Sequence, residues 1–217
     1  MSKLITFIFC INLLQGEGAE DISFRYGFMG QLKSNPDSTV VLSDSSVIHT
    51  GDRVRINIGY IKEYDFLLIF KDSQGEFEIL YSAPTKMGAQ SSELTKQDTF
   101  ATALQWALFR DPPGEESFYL INSKSPLSYL TKLLSRYESA PNKPKIKLAK
   151  KIQVELDALD PNAKAELSSI ASRLDKPLVG GVTFRGDDDD ELKDMSLTHE
   201  CRGTGGIAFI KIVLNHK

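Results

Sequence analysis

The sequence predicts a β-rich α+β fold: an antiparallel β-sandwich of about eight strands, with a C-terminal helix and an inserted helical pair. Three observations predict it. Short runs alternate apolar and polar residues at period two and are separated by turn residues. The runs Phe66–Phe70 and Phe118–Ile121 are continuously apolar, as strands buried on both faces are. The helical patterns come late and together instead of alternating with strands, which argues against a doubly wound parallel sheet.

The elements follow in order. Met1-Ser-Lys precedes an apolar run of 11 residues, Leu4 to Leu14, interrupted by Thr6 and Asn12 and followed by Gly16, Gly18 and Ala19. A charged start, a short apolar core and small residues are the pattern of a secretory signal peptide, 1–18, with the mature chain beginning near Ala19. The run is shorter than the about 20 apolar residues that span a bilayer. Bulky Phe9 before Cys10 argues against lipid attachment there. Residues 19–138 form the expected sandwich core. Phe24, Tyr26 and Phe28 alternate as one face of a half-buried strand, and residues 34–46 read as loop or a short edge strand. After a turn at Thr50-Gly-Asp, Val54, Ile56 and Ile58 face inward and Arg53, Arg55 and Asn57 outward. Asp72-Ser-Gln-Gly75 turns the Phe66–Phe70 strand into a return strand carrying Phe77, Ile79 and Tyr81.

Residues 83–99 read as irregular. Leu104, Trp106 and Leu108 recur at period two, with a helix from about Thr95 as the competing reading. Ser125 is placed to cap a helix starting at Pro126, with Leu127, Leu130, Leu134 and Tyr137 on one face. A linker, 139–145, leads to a second helix with Leu148, Ile152, Leu156 and Leu159 inward. Asp160-Pro161 starts a third, with Leu167, Ile170 and Leu174 inward, so that 139–176 is a helical pair. Residues 177–217 return to the sandwich as strands: Leu178 to Phe184, a weaker one at Leu197 to Cys201, and Ile207 to Leu214.

The ordered stretches Thr50-Gly-Asp-Arg-Val-Arg-Ile-Asn-Ile, Tyr64 to Tyr81 and Pro112-Pro-Gly-Glu-Glu-Ser-Phe-Tyr-Leu-Ile-Asn-Ser-Lys-Ser-Pro-Leu resemble the bacterial domain-of-unknown-function family numbered 4384. The likeness covers about residues 45–135. It implies a β-rich binding or scaffolding unit of exported or envelope proteins, and it brings no catalytic residues.

A net charge of −3 argues against a broad nucleic-acid surface. The pair His199 and Cys201 shares one face of a strand, which allows a Cys–His hydrolase or acyltransferase; a structural cysteine is the plainer reading. With three histidines in the chain, His49 and His216 distant from His199 in sequence, no metal site is expected. Asp187, Asp188, Asp189 and Asp190 with Glu191 offer oxygens for Ca²⁺ but lack the alternating spacing of an EF-hand loop, so they read as a solvated loop. Lys143, Lys145, Lys147, Lys150 and Lys151 place five charges in nine residues, a surface for a polyanion or anionic lipid if not an ordinary solvated helix face. Gly203-Thr-Gly-Gly206 lacks the Lys-Ser/Thr of a phosphate loop and reads as a turn. Adjacent Glu115 and Glu116 point to opposite faces of a strand, poor geometry for paired acid and base work. The expectation is an exported, periplasmic or secreted, non-enzymatic binding module without a cofactor. Its partner would be another envelope protein or wall component, with no transmembrane span left after signal cleavage.

Overall fold

The structure is a computed structural model that describes residues 22–61, 64–83, 98–159, 166–169 and 197–217. The expected signal peptide, the Asp187–Asp190 loop and the Leu178–Phe184 strand lie outside these residues.

The fold is a β-rich α+β sandwich of two sheets. The first sheet contains β1 (Ile22–Leu32), β2 (Asn35–Leu42), β4 (Arg53–Ile61), β7 (Asp98–Leu108), β9 (Glu166–Ser169) and β10 (His199–Gly203), in the order β7-β4-β1-β10-β9. β1 pairs with β10 through its first half and with β2 through its second, both antiparallel. The second sheet contains β3 (Val47–Ile48), β5 (Asp65–Lys71), β6 (Phe77–Ala83), β8 (Gly114–Ser123) and β11 (Ile207–His216), in the order β3-β11-β8-β5-β6. Only the short β3–β11 pair is parallel among these described ladders.

The core follows from side-chain parity. Phe24, Tyr26 and Phe28 of β1 and Val54, Ile56 and Ile58 of β4 face the second sheet, as alternation predicts. From the second sheet Phe66, Leu68, Phe118 and Leu120 meet them, joined by Ala208, Ile210, Ile212 and Leu214. Aromatic rings bind the layers edge to face, Phe24 on Phe66 and Phe28 on Phe118, each at 5.2 Å between centroids. The intervening residues Leu67, Ile69, Tyr119, Ile121 and Phe209 point to the opposite face and need their own cover. Helices α1 (Ser128–Glu138) and α2 (Asn142–Leu159) supply it through Leu130, Leu133, Leu134, Tyr137, Ile152 and Leu156. The helices are therefore a third layer on the sandwich. The Tyr137 hydroxyl accepts a hydrogen bond from the Phe77 amide at 3.2 Å, and Lys145 pairs with Glu76 at 2.6 Å, which pins α1 to β6 and α2 to the turn before it.

Several expectations are corrected. Eleven strands form among the described residues, because residues 35–42 and 47–48 both pair and 166–169 pair with β10. Residues 166–169 lie where the third helix was expected; antiparallel partners across from Cys201 and Arg202 override the local apolar spacing. The other residues of that expected helix lie outside the described residues. Helix α1 starts three residues after the expected cap Ser125. The Leu127 amide donates to the Asp65 carboxylate on β5 at 3.0 Å, so a tertiary partner replaces the local serine. Helix α2 begins at Asn142, inside the expected linker. Pro144 falls in its first turn, where a missing N–H leaves no bond unmade. Residues 98–108 are strand, not helix, and β7 does not keep the Leu104–Trp106–Leu108 alternation. Register shifts against β4 between Val54 and Ile56 and between Ile56 and Asn57 interrupt it, so Leu104 opposite Ile56 and Ala107 opposite Val54 share the inner face.

One exchange tests the three-layer arrangement. Ile152 is fully buried and Val154, two residues on, is 64% exposed. Ile152→Ala is expected to cost about 2–5 kcal/mol in urea unfolding of the whole domain, as a single transition. Val154→Ala is expected to change stability by less than about 0.5 kcal/mol. A separate early transition in the Ile152 variant would mean that the helices fold as an independent unit.

Candidate functional site

The inner-face parity that builds the core runs out at one end of the sandwich, and polar residues take the next inward positions. On β8 the inward series is Leu120, Phe118, then Glu116; on β11 it is Ile212, Leu214, then His216. Glu116 and His216 are 4% and 3% exposed. His216 Nδ1 lies 3.5 Å from Glu116 Oε1. Glu116 Oε2 is buried and accepts no hydrogen bond within this structure. Phe109 covers the imidazole edge to face at 5.6 Å.

The turn at Thr50 holds this end together. The Asp52 carboxylate accepts the amides of Lys33 at 2.7 Å and His49 at 2.8 Å, its carbonyl accepts the Phe109 amide, and the Gly51 amide donates to the Phe109 carbonyl. Gly51 sits at φ +99, in the region that glycine alone enters freely. The turn presents the Thr50 hydroxyl to Asp111 at 2.8 Å and to His216 Nε2 at 3.0 Å. An ionised Asp111 only accepts, so the one Thr50 proton goes to it and His216 Nε2–H donates to Thr50. That tautomer leaves Nδ1 toward Glu116. The order hydroxyl, imidazole, carboxylate resembles an acyl-transfer triad, but His216 cannot take a proton that Thr50 gives to Asp111. The chain instead runs by hydrogen bonds from exposed Asp111 through Thr50 to His216, whose buried Nδ1 lies 3.5 Å from Glu116 without a hydrogen bond.

Glu116 reaches a cleft of about 370 Å³ between the two sheets. Phe70 and Phe118 lie at its base, Leu80 of β6 forms one wall, and Leu104, Ala107 and Leu108 of β7 form the other. Both walls are irregular in register. Opposite Leu68 and Ile69 stand Tyr81 and Ile79, leaving Leu80 as the extra residue of β6. The shifts in β7 fall across the cleft from it. Bulges bend and twist the strands that carry them, so the two sheet edges hold apart here. Farther along β6 the Tyr81 hydroxyl comes within 2.9 Å of the Tyr60 hydroxyl of β4. Asp72, Glu78, Asp111 and Glu116 line the cleft together with Arg110, so acidic groups outnumber basic ones. Burial pushes the Glu116 carboxyl above its ordinary value; nearby Asp72 pushes the same way, and His216 and the Ser73 backbone oppose it in part.

The residues singled out from sequence are dispersed. Cys201 is fully buried in the intersheet core and donates to the Phe209 carbonyl, and burial pushes its thiol up to about 12. A neutral thiol of that kind is not a nucleophile. The His199 ring packs on Tyr26 at 5.3 Å, and burial lowers its pKa. Lys145 is held by Glu76 and lies 4.8 Å over the Tyr137 ring, whereas Lys143, Lys147, Lys150 and Lys151 are exposed on the outer face of α2. Among the described residues no cluster of three or more His, Cys, Asp or Glu could hold a metal. The Thr50 turn was legible in the sequence, but its meeting with Glu116 and His216 was not. The readable signal was parity: two polar residues continue the inward positions of two apolar strands.

A linkage prediction follows from Glu116. A carboxyl whose folded pKa is raised stabilises the fold below its ordinary pKa of 4.5, and that stability is lost as pH rises through the raised value. Relative to Glu116→Gln, the parent protein is expected to lose stability as pH rises above 4.5, read from urea midpoints at several pH values. A parent that gains on the variant as pH rises would mean that His216 dominates and depresses the carboxyl.

Comparison with protein-family models, with curated proteins and with solved structures finds no match to this chain.

Proposed function

We propose that the protein is an exported, non-enzymatic binding module of the cell envelope whose ligand site is the cleft between β6 and β7. The observation that carries the binding half is the combination of a concave apolar base, two bulged walls and one buried carboxyl oxygen without a partner. Small-ligand sites combine an apolar lining with a few placed polar groups in clefts of about this volume. Holding Glu116 there costs stability, because a buried polar atom without a partner is unfavourable by about 1–3 kcal/mol. The non-enzymatic half is supported by the inert setting of Cys201 and by the Thr50 proton being given to Asp111. The export half, and the likeness to the unknown-function family numbered 4384, rest on the sequence. No helix among the described residues is long and apolar enough to cross a membrane.

Two experiments test the reading. For the cleft, 4-phenylbutanol titrated into ¹⁵N-labelled protein is expected to shift the amides of Phe70, Leu104 and Phe118. Ala107→Trp, which fills the cleft from the β7 wall, is expected to abolish those shifts without altering the remaining spectrum. Shifts that survive this change, or that never appear, would remove the cleft as the binding site. For export, the intact mass of protein recovered from cell fractions should correspond to a chain starting near Ala19, outside the cytoplasm. A full-length cytoplasmic species would overturn that half.

A further inference from the structure

The charge and the unpartnered oxygen at the cleft base specify more than an apolar pocket. Glu116 lines the cleft, and its Oε2 is buried and has accepting capacity that the protein leaves unused. Around it stand Asp72 from the β5–β6 turn, Glu78 from β6, and Asp111 with Arg110 from the loop before β8, while His216 faces Oε1 from β11. Three carboxyls besides Glu116, against one guanidinium, make the cleft attractive to a cation and hostile to an anion. A neutral hydroxyl would satisfy Oε2 with one bond; an ammonium would satisfy it with a charge-assisted one and offset the neighbouring acids as well.

We propose that the cleft recognises a primary ammonium carried on an apolar stem, with the Glu116 carboxylate as its counter-charge. The inference rests on the cleft being the ligand site and adds the class of ligand. The stem lies between Leu80 and Leu104 over Phe118, and the ammonium reaches Glu116 at the base. Two sources share this chemistry: a free hydrophobic amine, and the side chain of a lysine in an extended peptide.

The proposal includes a proton balance. Burial favours the neutral form of the Glu116 carboxyl in the empty cleft, so a protonated Glu116 must release its proton to accept an ammonium. That proton is released to the solvent as the ammonium binds. Binding of the cation therefore strengthens as pH rises across the range in which Glu116 ionises, while the amine itself stays protonated.

The test uses three isosteric probes, 4-phenylbutylamine, 4-phenylbutanol and 4-phenylbutyrate, together with the capped tripeptide acetyl-Phe-Lys-Phe-amide, on the parent protein and on Glu116→Gln. Affinity is read from amide shifts at the cleft between pH 5 and pH 8. The amine is expected to bind about tenfold more tightly than the alcohol at pH 7.5, with the butyrate weakest. That preference should shrink as pH falls through the range in which Glu116 ionises, and Glu116→Gln should erase it. The variant's thermal midpoint is measured alongside, since a neutral isostere at this position should keep the fold. Tighter binding of the tripeptide than of the amine would assign the lysine source, and the reverse order the free amine. Equal binding of alcohol and amine, or an amine preference that survives Glu116→Gln, overturns the cationic specificity while leaving the cleft as a binding site. Failure of all four probes to shift the cleft overturns both.

Discussion

The second sheet is apolar on both faces, and the rest of the molecule is arranged to satisfy that. β5 and β8 carry Phe66, Leu68, Phe118 and Leu120 on one side and Leu67, Ile69, Tyr119 and Ile121 on the other. A sheet of this kind cannot leave either face in water. The first sheet covers one face with the aromatic stripe of β1 and the isoleucines of β4; the pair α1–α2 covers the other. Even the start of α1 depends on this layer, since Asp65, the first residue of β5, accepts the Leu127 amide. The chain then returns through the helices to both sheets, crossing from β10 to β11 at Gly203. A side chain at Gly203 would meet the Ile207 carbonyl at 1.9 Å, so the crossing requires a residue with no side chain.

The same parity that makes the core also makes the site. Along β8 and β11 the inward positions are apolar until the end of the sandwich, where Glu116 and His216 occupy them. At that end β6 and β7 each carry a register shift, and a cleft opens beside the polar pair, which itself stays buried. The Thr50 turn, organised by Asp52, then ties Asp111 and His216 into one hydrogen-bonded chain. An inward glutamate with a raised pKa and an unused oxygen is unfavourable for folding alone. A ligand that completes its bonding gives that arrangement a physical purpose.

Much of this was legible in the sequence because it is local. Alternation identified β1 and β4, the unbroken run Phe66–Phe70 identified a strand buried twice, and Asp72 to Gly75 identified the hairpin turn, where Gly75 takes φ +81. The inward face of α1 was readable from its spacing. The elements that escaped are those set by partners distant in the chain. Residues 166–169 pair with β10 despite a helical apolar pattern, and α1 is capped from β5 rather than by Ser125. The bulges in β6 and β7 have no local sequence signature, so the cleft they open could not be anticipated. Cys201 and His199 do share a strand as their spacing suggested, but the burial that makes the thiol inert is a property of the packed sheets. Glu115 and Glu116 were correctly read as pointing to opposite faces. The missing step was that one of those faces is the core.

The central claim is that Glu116 lies inward at one end of the sandwich with its carboxyl pKa raised by burial. The most direct measurement is the titration of its side-chain carboxyl by ¹³C NMR in the folded protein, assigned by the loss of the resonance in Glu116→Gln. The account predicts a midpoint clearly above the ordinary glutamate value of 4.5. A midpoint at or below that value would mean that the carboxyl is solvated or fully paired with His216, and would contradict the account.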